Sequence, residues 1–209
     1  MRTKTILKAI GFAALFLCAG CAALAPVFAP KVNADATALR AGNYSLDPAH
    51  ASLIFKIDHL GFSTYVGRFN SFDISLDFDE NDPTAARVEA VIDMTSLDVA
   101  NDDFANTLTG SNWFNANRFP EAVFQSTAIK VTGDNRGVMT GDLTLHGVTQ
   151  PVTLDVTFNG GGSDRLRGAY VIGLSATSEI SRRAFGVDRF DGIVGDAVKI
   201  EIEAEFLRE

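Results

Sequence analysis

Three histidines, His50, His59 and His146, are the side chains of this chain best suited to bind a transition metal. Zinc sites usually combine histidine with cysteine thiolates at short, regular spacings. Here the histidines fall in three separate turns or strand ends, and both cysteines, Cys18 and Cys21, lie near the N-terminus. The sequence therefore predicts no metal site, and we expect His59 and His146 to hold turns by hydrogen bonds.

Hydroxyl and carboxylate side chains do not form a recognisable catalytic arrangement. Hydroxyl groups cluster in residues 175–183, with Asp188 and Asp191 nearby. An activated serine needs an adjacent base and a strained turn such as G-x-S-x-G, and the sequence has no such motif. The acidic residues 79–82 fall in a turn, where hydration accounts for them. We predict no catalytic residue, although an enzyme on a barrel scaffold stays one alternative.

The charge balance sets limits on the partners of the protein. The 209 residues include 26 acidic and 18 basic side chains, a formal net charge of −8 at pH 7. An acidic surface repels nucleic-acid phosphates and anionic lipid headgroups. We therefore predict no nucleic-acid partner and no electrostatic docking on an anionic membrane, and solubility is sufficient to explain the charge.

Apolar residues alternate with polar ones along much of the chain. Residues 141–156, GDLTLHGVTQPVTLDV, show this most clearly, as two strands joined at a turn. A period of two is what a sheet with one buried and one hydrated face requires. The predicted strands are 51–58, 69–78, 87–93, 122–131, 138–145, 152–158, 168–180 and 197–206.

Two segments depart from this pattern. Near residues 101–110, Phe104 and Leu108 are spaced by four and Asn101 can cap a helix, so we predict a short helix there. The glycine-rich residues 160–164 are predicted to form a flexible tip. Eight strands with hairpin turns indicate an all-β antiparallel barrel. A barrel of that size can be filled by its own side chains or can hold one ligand, and alternation alone leaves both possibilities open.

The N-terminus has the organisation of an export signal. Arg2, Lys4 and Lys8 precede an apolar run, and small residues follow. We predict a signal peptide and cleavage region over residues 1–36, a linker over 37–42 and the barrel domain over 43–209, so that the mature chain begins between residues 37 and 43. A lipoprotein anchored at Cys21 and an uncleaved membrane anchor are the alternatives.

Six segments of the sequence carry a family resemblance: Asp47-Pro48-Ala49-His50, LIFKIDHLGFSTYVGRF (53–69), NWFNANRFPEAVFQST (112–127), GDLTLHGVTQPVTL (141–154), ISRRAFG (180–186) and VGDAVKIEIEAEF (194–206). Taken together, they resemble the YceI-like family of lipocalin-like, polyisoprenoid-binding exported proteins. The resemblance implies an extended eight-stranded antiparallel lipocalin-like barrel whose hydrophobic lumen holds an isoprenoid-tailed lipid, without catalysis or metal. Ala184 stands where the family usually has an acidic residue, and Phe104 stands where a polar residue is expected.

The resemblance and the strand parity together predict an exported protein that carries or sequesters an isoprenoid quinone or a similar amphiphile. No catalytic cofactor is expected. The residues predicted to contact the tail are Phe55, Ile57, Phe62, Ile74, Leu76, Ile92, Phe124, Leu143, Leu145, Leu154, Leu174, Ile180, Ile200 and Ile202. The candidates for the polar headgroup are Arg68, Arg182 and Arg183.

The sequence also leads to predictions about cellular location and oligomeric state. The protein is expected in the periplasm as a monomer or homodimer, with a membrane or a respiratory-chain component as a possible delivery partner. The principal alternative is a non-catalytic β-domain with a filled core that acts in partner binding or in a stress response.

Overall fold

The computed structural model describes residues 29–35, 39–79 and 81–209. The basic start, the apolar run and Cys21 of the predicted export signal lie outside the described residues. The described residues form one α-helix, α1 (Asp102–Thr109), and ten β-strands: β1 (Gly42–His59), β2 (Ser63–Phe69), β3 (Phe72–Phe78), β4 (Arg87–Asp93), β5 (Leu97–Asp98), β6 (Glu121–Gly133), β7 (Arg136–Leu145), β8 (Val148–Asp164), β9 (Ala169–Ser181) and β10 (Val194–Arg208).

The strands close into an antiparallel barrel. Their order is β10-β9-β8-β7-β6-β4-β3-β1-β2-β5, and an additional pairing of β10 with β1 joins the ends. The first part of β1 pairs with β3 and its second part pairs with β2, so β2 and β3 occupy one barrel position and are separated only by Asn70 and Ser71. The prediction of an eight-stranded antiparallel barrel is confirmed.

The helix lies where the sequence predicted it. The Asn101 side chain accepts a hydrogen bond of 2.8 Å from the backbone N–H of Phe104, which caps the first turn. Strand β4 has the predicted bounds, whereas β1 begins nine residues earlier than predicted. The single strand predicted over 69–78 is instead β3, with Phe69 ending the separate strand β2.

The barrel has two distinct ends, which follow from the antiparallel strand order. The mouth end carries the β1–β2 turn, helix α1 with the loop that follows it, the β7–β8 turn and the β9–β10 loop. The far end carries the β3–β4, β6–β7 and β8–β9 turns together with the first residue of β1. No helix among the described residues is long and apolar enough to cross a membrane.

The glycine run Gly160–Gly162 is part of β8, so the prediction of a flexible tip was wrong. The reason is an N-terminal segment, residues 31–33, that lies on these glycines. Asn33 and Gly161 exchange two backbone hydrogen bonds of 2.8 Å. A Cβ atom on Gly160 would collide with Val32, and one on Gly162 would collide with the Lys31 carbonyl oxygen. Glycine is therefore needed for close backbone approach and not for flexibility.

The predicted linker is also partly structured. Leu39 is buried and packs in the far-end core with Tyr44, Leu76 and Phe206. The folded domain therefore begins before residue 43, because Leu39 and the N-terminal segment both contribute contacts to the barrel.

We expect the N-terminal segment to stabilise the barrel. A chain beginning at Pro30 should have a free energy of unfolding about 1–2 kcal/mol higher than one beginning at Leu39, since two backbone hydrogen bonds are lost in the shorter chain. Urea unfolding followed by circular dichroism measures the difference. Gly162→Ala should destabilise the longer chain and leave the shorter one unchanged, because residues 31 and 32 are what the added methyl group meets. Equal effects in both chains would contradict this placement.

Candidate ligand cavity

An apolar cavity of about 340 Å³ lies at the mouth end of the barrel. Its walls come from β1, β2, β4, β6, β7, β9 and β10, together with α1, the loop after it and the β9–β10 loop. The side chains lining it with polar atoms are His59, Tyr65, Trp113 and Arg182. A second cavity of about 130 Å³ lies deeper, and its one lining side chain with a polar atom is Ser178. The two cavities adjoin, because Leu53, Leu143 and Ile200 line both.

Most residues predicted to face the lumen do so. Thirteen of the fourteen predicted tail-contacting residues line one or both cavities: Phe55, Ile57, Ile74, Leu76, Ile92, Phe124, Leu143, Leu145, Leu154, Leu174, Ile180, Ile200 and Ile202. The exception is Phe62, which lies in the β1–β2 turn with 88% of its surface exposed. Strand parity does not extend through a turn, so its predicted inward position was wrong.

Sequence reasoning missed the part of the wall that is not built by strands. Phe104 and Leu108 of α1, together with Trp113 and Phe114 after it, line the upper cavity. The β9–β10 loop adds Val187 and Phe190, and the first residue of β10 adds Val194. A period of two has no meaning in a helix or loop, so alternation carries no information about these side chains. The wall residues on strands, such as Leu53, Val152 and Val198, follow the same alternation and could have been included.

Two inward-facing glycines make room for aromatic rings in the wall. A Cβ atom on Gly67 would collide with the ring of Phe55, and one on Gly141 would collide with the ring of Phe124. Phe55 is directly opposite Gly67 in the β1–β2 pairing, so its ring lies across the glycine. The phenylalanines thereby pack along the barrel wall instead of filling the lumen, which helps to keep it open.

Arg182 is a buried cation at the edge of the upper cavity, with only 5% of its surface exposed. Its Nε donates to the Gly195 carbonyl oxygen at 2.8 Å, and its Nη1 donates to Val187 and Arg189 at 2.7 and 2.9 Å. Its Nη2 donates to Val194 at 3.1 Å. These bonds use four of its five N–H groups, and no carboxylate of the described residues lies within ion-pair distance of it. Arg182 thus ties the β9–β10 loop to the first residues of β10.

The other two headgroup candidates lie elsewhere. Arg183 is exposed and forms ion pairs of 3.1 Å with both Asp191 and Asp196, and its hydrogen bond lowers the pKa of Asp196 to about 2. Arg68 faces outward on β2, between Gly67 and Phe69, which face inward. It lies opposite Asp98. The prediction of Arg68 at the cavity mouth was wrong, because strand parity directs it to the outer surface.

The histidines take three different roles. His146 lies in the β7–β8 turn, with its Nδ1 3.2 Å from the Phe185 carbonyl oxygen, as expected for a residue that holds a turn. His59 instead lines the upper cavity, with its ring centroid 6.1 Å from that of Tyr65. His50 is at the far end, with its Nδ1 2.9 Å from an Asp47 carboxylate oxygen.

The group formed by Asp47, His50 and Glu205 has the donor spacing of a metal site. The positive charge that a metal ion would bring is already supplied by Arg167. The Arg167 Nη1 donates to Asp47 at 2.8 Å and to Glu205 at 2.7 Å. Burial acts to raise the pKa of Asp47, but hydrogen bonds from His50 and Arg167 hold it below its ordinary value. The arrangement ties β1 to β10 and to the β8–β9 turn.

Comparison with known proteins identifies relatives over nearly the whole described barrel. A family model described as YceI-like domain matches residues 44–206. The chain is 37% identical over 167 residues to a UPF0312 protein of Yersinia pestis (strain Pestoides F), with 79% of this chain and 86% of the relative covered. It is 35% identical over 171 residues to a UPF0312 protein of Pseudomonas paraeruginosa, with 81% and 88% covered.

Solved structures show the same architecture. The structure of BcnA from Burkholderia cenocepacia superposes with a TM-score of 0.70 at 26% identity and covers 77% of this chain and 98% of that one. A polyisoprenoid binding domain from Saccharophagus degradans, implicated in plant cell wall breakdown, superposes with a TM-score of 0.60, covering 79% and 98%. At 16% identity, this second likeness establishes the shared fold.

Proposed function

Because this chain belongs to the YceI-like domain family, we propose that its barrel binds an amphiphile with a polyisoprenoid tail, with an isoprenoid quinone as the preferred ligand. The observation that carries the proposal is the pair of adjoining apolar cavities, lined almost entirely by carbon atoms. The polyisoprenoid-binding domain of Saccharophagus degradans, which has the same fold, supports this ligand class. The open lumen argues against the alternative of a filled-core domain.

The tail supplies most of the binding free energy in this proposal. Burial of hydrocarbon contributes about 0.8 kcal/mol per CH₂, so one five-carbon isoprene unit could contribute roughly 3–4 kcal/mol. Ordering of the tail and imperfect fit offset much of this gain. We therefore expect affinity to depend strongly on tail length and weakly on the headgroup.

The headgroup is proposed to lie beside Arg182. This side chain brings a buried positive charge to the wall of the upper cavity, and one of its N–H groups is not used by the four carbonyl oxygens that hold it. A quinone carbonyl oxygen is a suitable acceptor for a buried guanidinium. His59 and Tyr65 supply further polar atoms near the same end.

Export to the periplasm is part of the proposal, supported by the basic, apolar and small-residue order of the N-terminus. We propose that processing leaves residues 31–33 in the mature chain, since they pack on Gly160–Gly162. Under this proposal the mature chain begins upstream of residue 31, and not between residues 37 and 43 as the sequence alone predicted. Lipidation at Cys21 is compatible with this arrangement, and membrane or respiratory-chain components are the proposed delivery partners.

Fluorescence of Trp113, the only tryptophan of the chain, tests the proposal because its ring lines the upper cavity. Purified protein, delipidated with organic solvent and refolded, is titrated with ubiquinones of increasing tail length in dilute detergent. We expect saturable quenching at one quinone per barrel, with affinity rising about tenfold per added isoprene unit until the lumen is full. Affinity that does not change with tail length would contradict tail-driven binding.

A further inference from the structure

Exposed apolar side chains are concentrated at the mouth of the barrel. Leu60 and Phe62 lie in the β1–β2 turn, Phe104 lies on α1, and Phe190 and Ile193 lie in the β9–β10 loop. We call these five residues the rim. They include every exposed phenylalanine of the described residues. Exposed apolar side chains concentrated at one end of a domain often mark an interaction site.

The rim is continuous with the cavity. Phe104 and Phe190 line the upper cavity and are also exposed, and the ring of Phe190 lies 6.0 Å from that of Trp113 on the cavity wall. His59 and Val194, which also line the cavity, are one residue away from Leu60 and Ile193. Anything that enters the cavity between these elements therefore passes the rim.

Two of the rim residues adopt a backbone conformation that carries an energetic cost. Leu60 and Phe190 have φ angles of 59° and 54°, a left-handed conformation that disfavours bulky side chains. The Asp58 carboxylate accepts a hydrogen bond of 3.0 Å from the Gly61 N–H, which fixes the first turn. All non-glycine residues with positive φ in the described parts of the chain lie at the mouth end: Leu60, Ala100, Asn115, His146 and Phe190.

We propose that the rim is a docking surface for the surface of a neutral lipid bilayer, through which the barrel takes up and releases its ligand. This inference rests on the proposed function, because a polyisoprenoid tail resides in membranes and enters water at high cost. Burial of the rim in the interfacial region lets the tail pass from bilayer to cavity without crossing water. Apolar side chains on a polar scaffold are the means by which peripheral proteins bind this region.

The charges around the rim select the kind of bilayer. Asp58, Asp102, Asp103, Asp188 and Asp191 lie on or beside the rim-bearing segments, and the exposed cations there are Arg183, Arg189 and, in the loop after α1, Arg118. Arg183 is already paired with Asp191. The surplus of carboxylates is repelled by an anionic surface, so we expect phosphatidylcholine to bind the protein better than mixtures rich in phosphatidylglycerol.

A second copy of this chain is the competing occupant. Two mouths facing each other would bury both rims, but they would also close both cavities to any source of ligand. The bilayer is favoured because it covers the rim and supplies the ligand at the same time.

The test compares rim variants with a matched control at the far end. Phe62→Asp and Ile193→Asp remove exposed side chains that do not line the cavity. Leu166→Asp changes a side chain of intermediate exposure between these two, 74%, in the β8–β9 turn. Three properties are measured: flotation with empty phosphatidylcholine vesicles, quinone transfer from such vesicles, and quinone uptake from detergent. We expect the rim variants to lose flotation and to transfer quinone at least about tenfold more slowly, with uptake from detergent unchanged. Leu166→Asp should behave as the unchanged protein.

The outcomes separate this inference from the proposed function. Flotation and transfer at full rate by both rim variants would overturn the docking surface while leaving quinone binding intact. Failure of the unchanged protein to take up quinone from detergent would overturn the proposed function, and flotation with empty vesicles would still test the rim. If the unchanged protein does not float with vesicles but forms a dimer that Phe62→Asp does not form, the rim is a surface for self-association and the docking proposal is overturned.

Discussion

Ile200→Asp should abolish quinone uptake, whereas the same charge placed one residue earlier should leave uptake unchanged. Ile200 lines both cavities at the level where they adjoin, beside Leu53 and Leu143. A carboxylate there loses hydration without gaining a partner, which costs roughly 3 kcal/mol or more in stability and excludes an apolar tail. Trp113 quenching measures uptake, and circular dichroism checks that the barrel is folded.

Lys199→Asp is the matched control, since Lys199 is exposed on the outer face of the same strand, β10. It lies opposite Lys56 on one side and Glu179 on the other, so the new carboxylate gains one attraction and one repulsion. We expect its stability to change by no more than about 0.5 kcal/mol. Normal uptake by Ile200→Asp with failed uptake by Lys199→Asp would show that the assignment of inner and outer faces is inverted.

A second variant at the same position separates loss of folding from loss of the cavity. Ile200→Trp adds apolar volume without charge at the level shared by the two cavities. We expect it to fold, to keep its affinity for quinones with short tails and to lose the gain in affinity that longer tails give. Equal tail-length dependence in Ile200→Trp and the unchanged protein would show that the tail does not reach the deeper cavity.

Arg182→Met should destabilise the β9–β10 loop strongly. The substitution keeps most of the side-chain volume but removes the donors to the carbonyl oxygens of Val187, Arg189, Val194 and Gly195. Each buried carbonyl oxygen that loses its hydrogen-bond donor destabilises the folded state by roughly 1–3 kcal/mol before the loop relaxes. We therefore expect the free energy of unfolding to fall by about 3–5 kcal/mol. Urea unfolding followed by circular dichroism measures the change.

Hydrogen exchange locates the effect, and Arg183→Met provides the control. Amides of residues 186–194 should exchange much faster in Arg182→Met, while those of β6 and β7 should be less affected. Arg183 is exposed and bonded to surface carboxylates, so its substitution should have a much smaller effect. Unchanged exchange in residues 186–194 would show that Arg182 does not hold the loop and is available to the ligand alone.

The barrel could be predicted from sequence because its strands obey one simple rule. Alternation placed Leu143, Leu154 and Ile202 on the inner face, and the structure shows all three lining the lumen. Helix α1 was predicted because its cap and its spacing of apolar residues are both local signals. Its contribution to the cavity wall was not, since the direction in which a helix docks depends on long-range packing.

The errors arose where strand alternation does not determine the position of a residue. The sequence predicted a flexible tip at Gly160–Gly162, because nothing in the neighbouring sequence indicates that residues 31–33 lie on these glycines. Phe62 was predicted to line the cavity wall because it is apolar and follows a strand, but the β1–β2 turn exposes it. The buried position of Arg182 depends on four carbonyl oxygens that the folded loop brings together, and no sequence pattern specifies such a set.

Native mass spectrometry of the protein purified without organic solvent tests the central claim most directly. The account predicts a folded barrel whose mass exceeds that of its polypeptide by one lipid, and extraction should release a molecule with a polyisoprenoid tail in equal molar amount. Ile200→Asp, purified in the same way, should carry none. A barrel that purifies without a bound lipid and takes up no added quinone would contradict the proposal that the lumen is a polyisoprenoid-binding site.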